Sequence, residues 1–175
     1  ILDNVSDDRE AIDALESLYT NTEDWENLSA NYGIKLQLAS DDEEKRGLLK
    51  KMANLQEEKL KQYDEAIQLY TQVLDLFPED EDTLDSLDRL YLSQENYDDL
   101  TEILRKKLEL HKDYESADMI EYRLGQIYQN KLGSVEQALD YYKSILERKP
   151  EHEQANEALR GLLGNEDYQI EASRI

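Results

Sequence analysis

Two stretches of this sequence, 72 residues apart, decide its fold: residues 57–78 read EEKLKQYDEAIQLYTQVLDLFP and residues 129–150 read QNKLGSVEQALDYYKSILERKP. The positions that agree are those expected in a protein core and at a helix end: Leu60 and Leu132, Ala66 and Ala138, Tyr70 and Tyr142, Leu74 and Leu146, Pro78 and Pro150. The match extends outward without a gap, since residues 11–82 and 83–154 are identical at 19 of 72 positions. A third copy begins at Ala155. A fixed period of this length predicts a solenoid of stacked supersecondary units.

The composition predicts that these units are helical. Only six Gly and two Pro occur among 175 residues, so few residues interrupt long helices. Leu, Glu, Lys, Gln and Ala, which are good helix formers, dominate the chain. We therefore expect an all-α fold.

The formal net charge of −22 narrows the classes of partner. A field of this sign repels phosphate groups, which argues against nucleic acids and against anionic membrane surfaces. No apolar run approaches the ~18 residues of a membrane span, and no signal-peptide core is present. We therefore expect no membrane insertion and favour a cytoplasmic location. The chain has no Cys, which excludes a disulfide, a thiol nucleophile and a thiolate metal site.

Apolar spacing divides the chain into helix pairs. In the first helix, for example, Ile12, Leu15 and Tyr19 recur at the interval of one helix face. The predicted hairpins cover about residues 8–39, 41–78, 82–111 and 114–150, with an incomplete one at 151–175. The second is expected to start in a capping box of Ser40 and Glu43. We expect a single array over residues 1–175, cut from a longer one because both ends fall within a unit.

The hairpins resemble the tetratricopeptide repeat, a helix–turn–helix of about 34 residues. The clearest similarity is Leu124-Gly125-Gln126-Ile127-Tyr128 followed by Ala138, Tyr142 and Pro150, which is similar to the family's Leu-Gly-x-x-Tyr, small residue, aromatic residue and closing Pro. The 72-residue unit combines a hairpin of 34 residues with one of 38, which carries an extra residue between its helices. Ala66 and Ala138 are expected to be buried where paired helices approach closely. The resemblance implies an α-solenoid of antiparallel helix pairs in a right-handed superhelix.

No catalytic or metal constellation is found in the sequence. Only His111 and His152 could act as imidazoles, and both lie in charged segments at predicted helix ends, where a surface or capping role is expected. The acidic run at residues 78–82 is similar to a calcium loop in charge alone, because it lacks the Gly and the ligand spacing of that loop. The chain is therefore predicted to be non-enzymatic, with no cofactor and no metal.

Members of this family bind partners through a concave face lined by the first helix of each hairpin. The resemblance therefore implies that a protein or peptide binds on that face, at Lys50, Lys51, Asn54, Arg89, Tyr122, Arg123 and Gln126. Because cations and amides gather there, we expect the bound segment to be acidic or to present a C-terminal carboxylate. Family members that clamp such a carboxylate use Lys, Asn, Asn, Lys and Arg. The matching positions here are Lys50, Asn54, Ser86, Met119 and Arg123, and three of the five agree.

Three functions stay open on the sequence alone. The chain can be a scaffold that binds a partner in its groove, a structural array that packs against copies or neighbouring subunits, or a non-catalytic arm of an enzyme. The ends of the sequence bear on the structural array, because they carry apolar residues with no complete hairpin to cover them. These residues are Ile1, Leu2, Val5, Leu159, Leu162, Leu163, Tyr168, Ile170 and Ile175. Fraying or end-to-end self-association is therefore expected.

Overall fold

The computed structural model describes residues 9–111 and 113–164. Within these ranges the chain forms α-helices joined by short turns and contains no β-strand, which confirms the all-α prediction. The helices are α1 (Arg9–Asn21), α2 (Trp25–Leu38), α3 (Asp42–Leu55), α4 (Tyr63–Leu76), α5 (Glu81–Ser93), α6 (Tyr97–Leu110), α7 (Tyr114–Ile127), α8 (Val135–Arg148) and α9 (Glu153–Leu163).

The chain divides after Leu90 into two compact units, unit 1 (Ile1–Leu90) and unit 2 (Tyr91–Ile175). The division falls inside α5, so unit 1 holds α1–α4 and most of α5, and unit 2 holds α6–α9. In unit 1, α1 packs on α2, α2 on α3 and α3 on α4. In unit 2, α6 packs on α7, α7 on α8 and α8 on α9. Each unit is therefore a stack of consecutive helices.

The core of each unit is built from the apolar helix faces. In unit 1, one buried cluster joins α2 to α3: Leu28, Tyr32, Leu48 and Leu55. In unit 2, the buried cluster joins α6, α7, α8 and α9: Leu100, Leu104, Leu124, Ile127, Tyr128, Val135, Ala138, Leu139, Tyr142 and Leu162. Ala66 and Ala138 have no exposed surface, which confirms that these small residues are buried in the core.

The turns of the two shorter hairpins are copies of each other. Glu23 and Glu95, 72 residues apart, both adopt a φ of 54°, in the left-handed region. The next residues, Asp24 and Asn96, cap α2 and α6 by accepting a hydrogen bond from the backbone N–H three residues on. The repeat in sequence is thus also a repeat in backbone conformation.

The extra residue of the two longer hairpins is absorbed in a π-helical turn. α3 continues into the π-helix Gln56–Leu60 and α7 into the π-helix Tyr128–Leu132, again 72 residues apart. A π-helix closes its hydrogen bonds one residue later than an α-helix, so it takes up an added residue without breaking the helix. Each turn ends in a left-handed residue, Lys61 at φ 57° or Gly133 at φ 67°. The added residue therefore widens the end of the first helix instead of lengthening the loop.

The start of α3 shows that the predicted capping box was placed one residue too early. Asp41, and not Ser40, is the N-cap, and its carboxylate accepts a hydrogen bond from the backbone N–H of Glu44 at 2.8 Å. Oε2 of Glu44 in turn accepts a hydrogen bond from the backbone N–H of Ser40 at 2.9 Å. Glu43, the predicted partner, pairs with Arg46. Asp is as good an N-cap residue as Ser. With Asp41 as the N-cap, Glu44 is the third helical residue, which is the capping-box position.

The apolar residues expected at the ends of the chain fall only partly within the structure. Ile1, Leu2, Val5, Tyr168, Ile170 and Ile175 lie outside the described residues. In α9, Leu162 is buried and Leu159 is partly buried, whereas Leu163 is exposed.

Candidate partner-binding surface

Lys50 lies in the middle of α3 and is held by two carboxylates. Its Nζ donates to Oδ1 of Asp80 at 2.9 Å and to Oδ2 of Asp82 at 3.2 Å. The Asp80 side chain is 7% exposed, whereas that of Asp82 is 89% exposed. Burial opposes the charge of Lys50, but the two carboxylates outweigh burial and raise its pKa. Lys50 is therefore anchored on one side by a buried acid and remains reachable on the other.

Asp80 also caps a helix. Its Oδ1 accepts a hydrogen bond from the backbone N–H of Thr83 at 3.0 Å, in the first turn of α5. Burial would raise the pKa of Asp80, yet the hydrogen bonds from Lys50 and Thr83 lower it. The acidic run at residues 78–82 thus supplies a helix cap and an ion-pair partner.

A hydrogen-bonded network links Asn54 of α3 to Arg89 of α5. The Tyr70 hydroxyl lies 2.6 Å from Oδ1 of Asn54 and 3.3 Å from Oε2 of the buried Glu57. The guanidinium of Arg89 bonds both oxygens of Glu57, and its NH2 donates to Oε2 at 3.2 Å. This bond and the charge of Glu57 raise the pKa of Arg89. Asn54 follows Lys50 by one helical turn, so the three predicted residues Lys50, Asn54 and Arg89 belong to one connected region of unit 1.

Lys51, the next residue of α3, contacts a different set of residues from Lys50. Its Nζ donates to Oε1 of Glu16 at 3.1 Å and lies 5.5 Å from the centre of the Tyr32 ring. Lys35 binds Oε2 of the same Glu16. Burial works against ionisation of Glu16, but the two lysines prevail and lower its pKa. Lys51 therefore joins α3 to α1 and α2, whereas Lys50 joins α3 to the start of α5.

In unit 2 the predicted residues lie on α7. Nε2 of Gln126 donates to the Tyr122 hydroxyl at 3.2 Å, one helical turn away. The Tyr122 ring centre lies 5.8 Å from that of Tyr142 and 6.2 Å from that of His152. Arg123 is half-buried. Tyr122 is thus held between rings of α8 and of the α8–α9 connection, and Gln126 is bound to its hydroxyl.

The sequence places Glu57 on the first-helix face with Lys50 and Asn54, but it does not show which acids hold the cations. Glu57 follows Lys50 by seven residues, about two helical turns, so the sequence predicts that both lie on one face of the first helix of this hairpin. Its role is not visible, because only the tertiary fold brings Arg89 within hydrogen-bond distance. The helix-capping role of Asp80 could have been predicted, because this residue lies one position before α5, where helix caps occur.

His152, one of the two imidazoles, caps α9. Its Nδ1 accepts a hydrogen bond from the backbone N–H of Ala155 at 3.2 Å, which is the capping role expected from the sequence. Within residues 9–111 and 113–164, no group of His, Asp and Glu side chains has the arrangement of a metal site. Each helix in those ranges is too short or too polar to cross a membrane.

Comparison with protein-family models identifies tetratricopeptide repeats at three places. One model of the repeat matches residues 51–80 and 121–152, and a second model matches residues 83–118. Together these stretches cover more than half of the chain. Comparison with curated protein sequences gave no significant match. The tetratricopeptide repeat family is generally non-enzymatic.

Solved structures of similar fold are related to this chain at low sequence identity. A tetratricopeptide repeat protein from Parabacteroides merdae is 16% identical, with a TM-score of 0.57 over 93% of this chain and 64% of that one. MamA is 15% identical, with a TM-score of 0.52 over 94% of this chain and 86% of that one. YrrB, described as a tetratricopeptide repeat protein with an unusual peptide-binding site, is 19% identical, with a TM-score of 0.50 over 99% of this chain and 95% of that one. At these identities the likeness concerns the fold alone, an all-α solenoid. With repeats matched at three places and this fold, the chain belongs to the tetratricopeptide repeat family.

Proposed function

We propose that this chain is a non-enzymatic scaffold that binds a peptide or a protein segment on its first-helix face. Tetratricopeptide repeats serve protein–protein interaction, which supports the general role. The proposed binding residues are Lys50, Lys51, Asn54 and Arg89 in unit 1, and Tyr122, Arg123 and Gln126 in unit 2.

The observation that carries the proposal is that exposed cations of unit 1 are anchored by buried carboxylates. The Arg89 side chain is 60% exposed, whereas that of Glu57, which fixes it, is 7% exposed. Lys50, whose side chain is 25% exposed, is held in a similar way by Asp80, which is 7% exposed. A free surface cation loses side-chain entropy when a partner binds it, and an anchored cation has already lost that entropy on folding. Binding a carboxylate at these two positions therefore has a smaller entropic penalty.

The partner segment that suits these residues carries a carboxylate. At Lys50 the incoming group would replace the exposed Asp82 and leave the buried Asp80 in place. At Arg89 the guanidinium has N–H groups beyond those bonded to Glu57. Asn54 accepts from Tyr70 through Oδ1, so its amide N–H groups are the donors available to a partner. Contacts of this kind weaken with added salt.

The test starts with a random peptide display library selected against the complete chain. The dissociation constant of one selected peptide is then measured by calorimetry at about 50 and about 300 mM NaCl. The decisive variant, Glu57→Gln with Arg89→Met, replaces both members of one anchored pair so that no buried charge is left alone. The control, Lys45→Gln, removes a cation of α3 that pairs with Asp42 outside the proposed site.

We expect the paired variant to weaken binding at least about tenfold and the control to leave it unchanged. Binding that survives the paired change would place the site elsewhere on the molecule. A library that yields no binder, together with a mass that grows with concentration in light scattering, would instead favour an array that packs on copies of itself, end to end, or on neighbouring subunits.

A further inference from the structure

Unit 2 contains a cleft that is about twice as large as its counterpart in unit 1. The cleft measures about 720 Å³ and lies between the first turns of α7 and the α8–α9 connection. Its counterpart lies 72 residues earlier, between α3 and the α4–α5 connection, and measures about 350 Å³. Equivalent backbone positions thus build two clefts, and their side chains make the difference.

In unit 1, side chains that contact one another occupy the equivalent position. The guanidinium of Arg46 lies 4.6 Å from the centre of the Phe77 ring. The same guanidinium is 3.5 Å from the carboxylate of Asp80, which also binds Lys50 and caps α5. Every charged group in this arrangement has a partner within the unit, so the contact serves packing.

Unit 2 carries different side chains at the same positions. Asp42, Gly47, Phe77 and Asp80 are replaced by Tyr114, Met119, Lys149 and His152, in that order. Tyr114 is 73% exposed and Met119 is 71% exposed, the highest values of any large hydrophobic residue in the described ranges. Exposed apolar side chains that gather at a cleft mark an interaction site more often than scattered ones do.

The opposite wall of the cleft is polar and is held in place. NH2 of Arg148 donates to Oδ1 of Asp118 at 2.7 Å, and the guanidinium also bonds Glu121. Lys149, the next residue, is exposed and has no ion pair with the described residues. Because Nδ1 of His152 accepts a hydrogen bond, the neutral ring carries its hydrogen on Nε2, which makes that nitrogen a donor.

We propose that this cleft binds an acidic–apolar segment of a partner protein. A large apolar side chain of the segment lies between Tyr114 and Met119, and an adjacent carboxylate accepts hydrogen bonds from Lys149 and His152. Lys149 and His152 favour a carboxylate, because the acid of unit 1 at this place, Asp80, has become His152 in unit 2. Of the two acids that line the cleft, Asp118 is paired with Arg148 and Glu115 is exposed, so the carboxylate is expected at the Lys149 end. The volume lies within the range of about 300–1,000 Å³ that is typical of ligand sites. None of the residues proposed above lines the cleft, but the Tyr122 ring centre lies 6.2 Å from that of His152, so the cleft adjoins the α7 part of the proposed groove.

The probe is the blocked tetrapeptide acetyl-EFDL-amide, which combines two carboxylates with two large apolar side chains. Its neutral isostere, acetyl-QFNL-amide, has the same shape without the charges. Each is titrated into the complete isotope-labelled chain, and amide shifts in an NMR spectrum give the site and the dissociation constant. We expect the acidic peptide to shift amides of α7 and the α8–α9 connection and to bind at least about fivefold more tightly than the isostere.

Two variants test the walls of the cleft separately. Tyr114→Asp installs the residue that unit 1 has at this position, and Lys149→Gln removes the ammonium group. The control is Lys143→Gln, which removes an exposed cation of α8 that does not line the cleft. We expect each cleft variant to raise the dissociation constant at least about fivefold and the control to change it by less than about twofold.

Equal binding of the two peptides, unchanged binding in both cleft variants, or no shift at all at millimolar peptide would overturn the proposal. The paired variant Glu57→Gln with Arg89→Met should leave binding in the cleft intact. A loss of groove binding with retained cleft binding, or the reverse, therefore separates the two sites.

Discussion

Tyr142 lies so close to Gly125 that a methyl group on this glycine would have no room. A Cβ placed at Gly125 would be 2.5 Å from Cε1 and 2.8 Å from Cζ of the Tyr142 ring. The ring is fully buried, and its hydroxyl donates to Oε1 of Gln129 at 2.9 Å, so it cannot move aside without losing these contacts. The equivalent residue of unit 1 is Ala53, which is fully buried. The equivalent pair of unit 1, Ala53 and Tyr70, thus has room for the methyl group, and the closer approach of ring and backbone is particular to α7 and α8.

We expect Gly125→Ala to destabilise the protein by about 1–3 kcal/mol, because a tightly packed contact must open. This sign is opposite to that of helix propensity, in which Ala is better than Gly by about 1 kcal/mol. The free energy of unfolding in urea measures the effect. Gly33→Ala in α2 is the control, because no atom lies within 4 Å of its added methyl group, and it should stabilise the protein. A gain in stability with Gly125→Ala would mean that the Tyr142 ring can shift freely.

The ends of the two π-helical turns predict a stabilising change. Lys61 holds a φ of 57°, which is unfavourable by about 1–2 kcal/mol for a residue with a side chain, whereas the equivalent Gly133 avoids this strain. Lys61→Gly should therefore raise the free energy of unfolding by roughly 1 kcal/mol, somewhat less than the strain because Gly has more freedom in the unfolded chain. Gly133→Lys should lower it by a similar amount. Equal stabilities of the wild type and both variants would show that the turns relax.

The buried hydroxyl of Tyr142 predicts a loss of stability in alkali. Burial, with a further contribution from Tyr122, raises the pKa of Tyr142 to about 12 from a reference of 10.0. Between these values the unfolded chain releases the proton more readily than the folded one. The contribution of the Tyr142 hydroxyl to the free energy of unfolding is therefore complete below pH 10 and is lost as the pH rises through about 12.

The variant Tyr142→Phe isolates the effect of this hydroxyl on stability. At neutral pH the variant should be less stable by about 1 kcal/mol, because the hydrogen bond to Gln129 is lost. As the pH rises above about 10, the difference between wild type and variant should shrink, since only the wild type has this group to ionise. Urea unfolding at a series of pH values measures the difference. A constant gap across the alkaline range would contradict the prediction.

The anchor of Lys50 predicts a loss of stability in acid. The hydrogen bonds from Lys50 and Thr83 outweigh burial and lower the pKa of Asp80 from its reference of 3.8. The contribution of the Asp80 carboxylate to the free energy of unfolding is therefore complete above pH 3.8, and it is lost as the pH falls through the lower pKa of the folded protein. The stability gap between wild type and Asp80→Asn should narrow as the pH falls below about 4. Asp82→Asn, which changes the exposed partner of Lys50, should have an effect of about 0–1 kcal/mol. A gap that is the same in acid and at neutral pH would count against the anchoring role of Asp80.

The repeat period alone accounts for much of the fold. It places Ala66 and Ala138 in the core, and it pairs Trp25 with Tyr97. In the structure these two rings have the same neighbour, because Nζ of Lys59 lies 5.1 Å from the Trp25 ring centre and Nζ of Lys131 lies 5.0 Å from that of Tyr97. The equivalence of the two rings is visible in the sequence, whereas the cations beside them are not. Both lysines lie in π-helical turns, whose geometry follows from one added residue that the sequence shows only as an altered spacing.

The sequence by itself determined the helices, their order, their apolar faces and the 72-residue repeat, because all of these follow from local spacing along the chain. Only the tertiary structure decided which charged groups are in contact. The pairing of Arg89 with Glu57 and of Lys50 with Asp80 joins residues 32 and 30 positions apart, and their spacing along the chain does not reveal it. The same holds for the cleft at Tyr114 and Met119. Its side chains are all visible in the sequence, but the size of a cleft depends on how the side chains of adjacent helices meet in space.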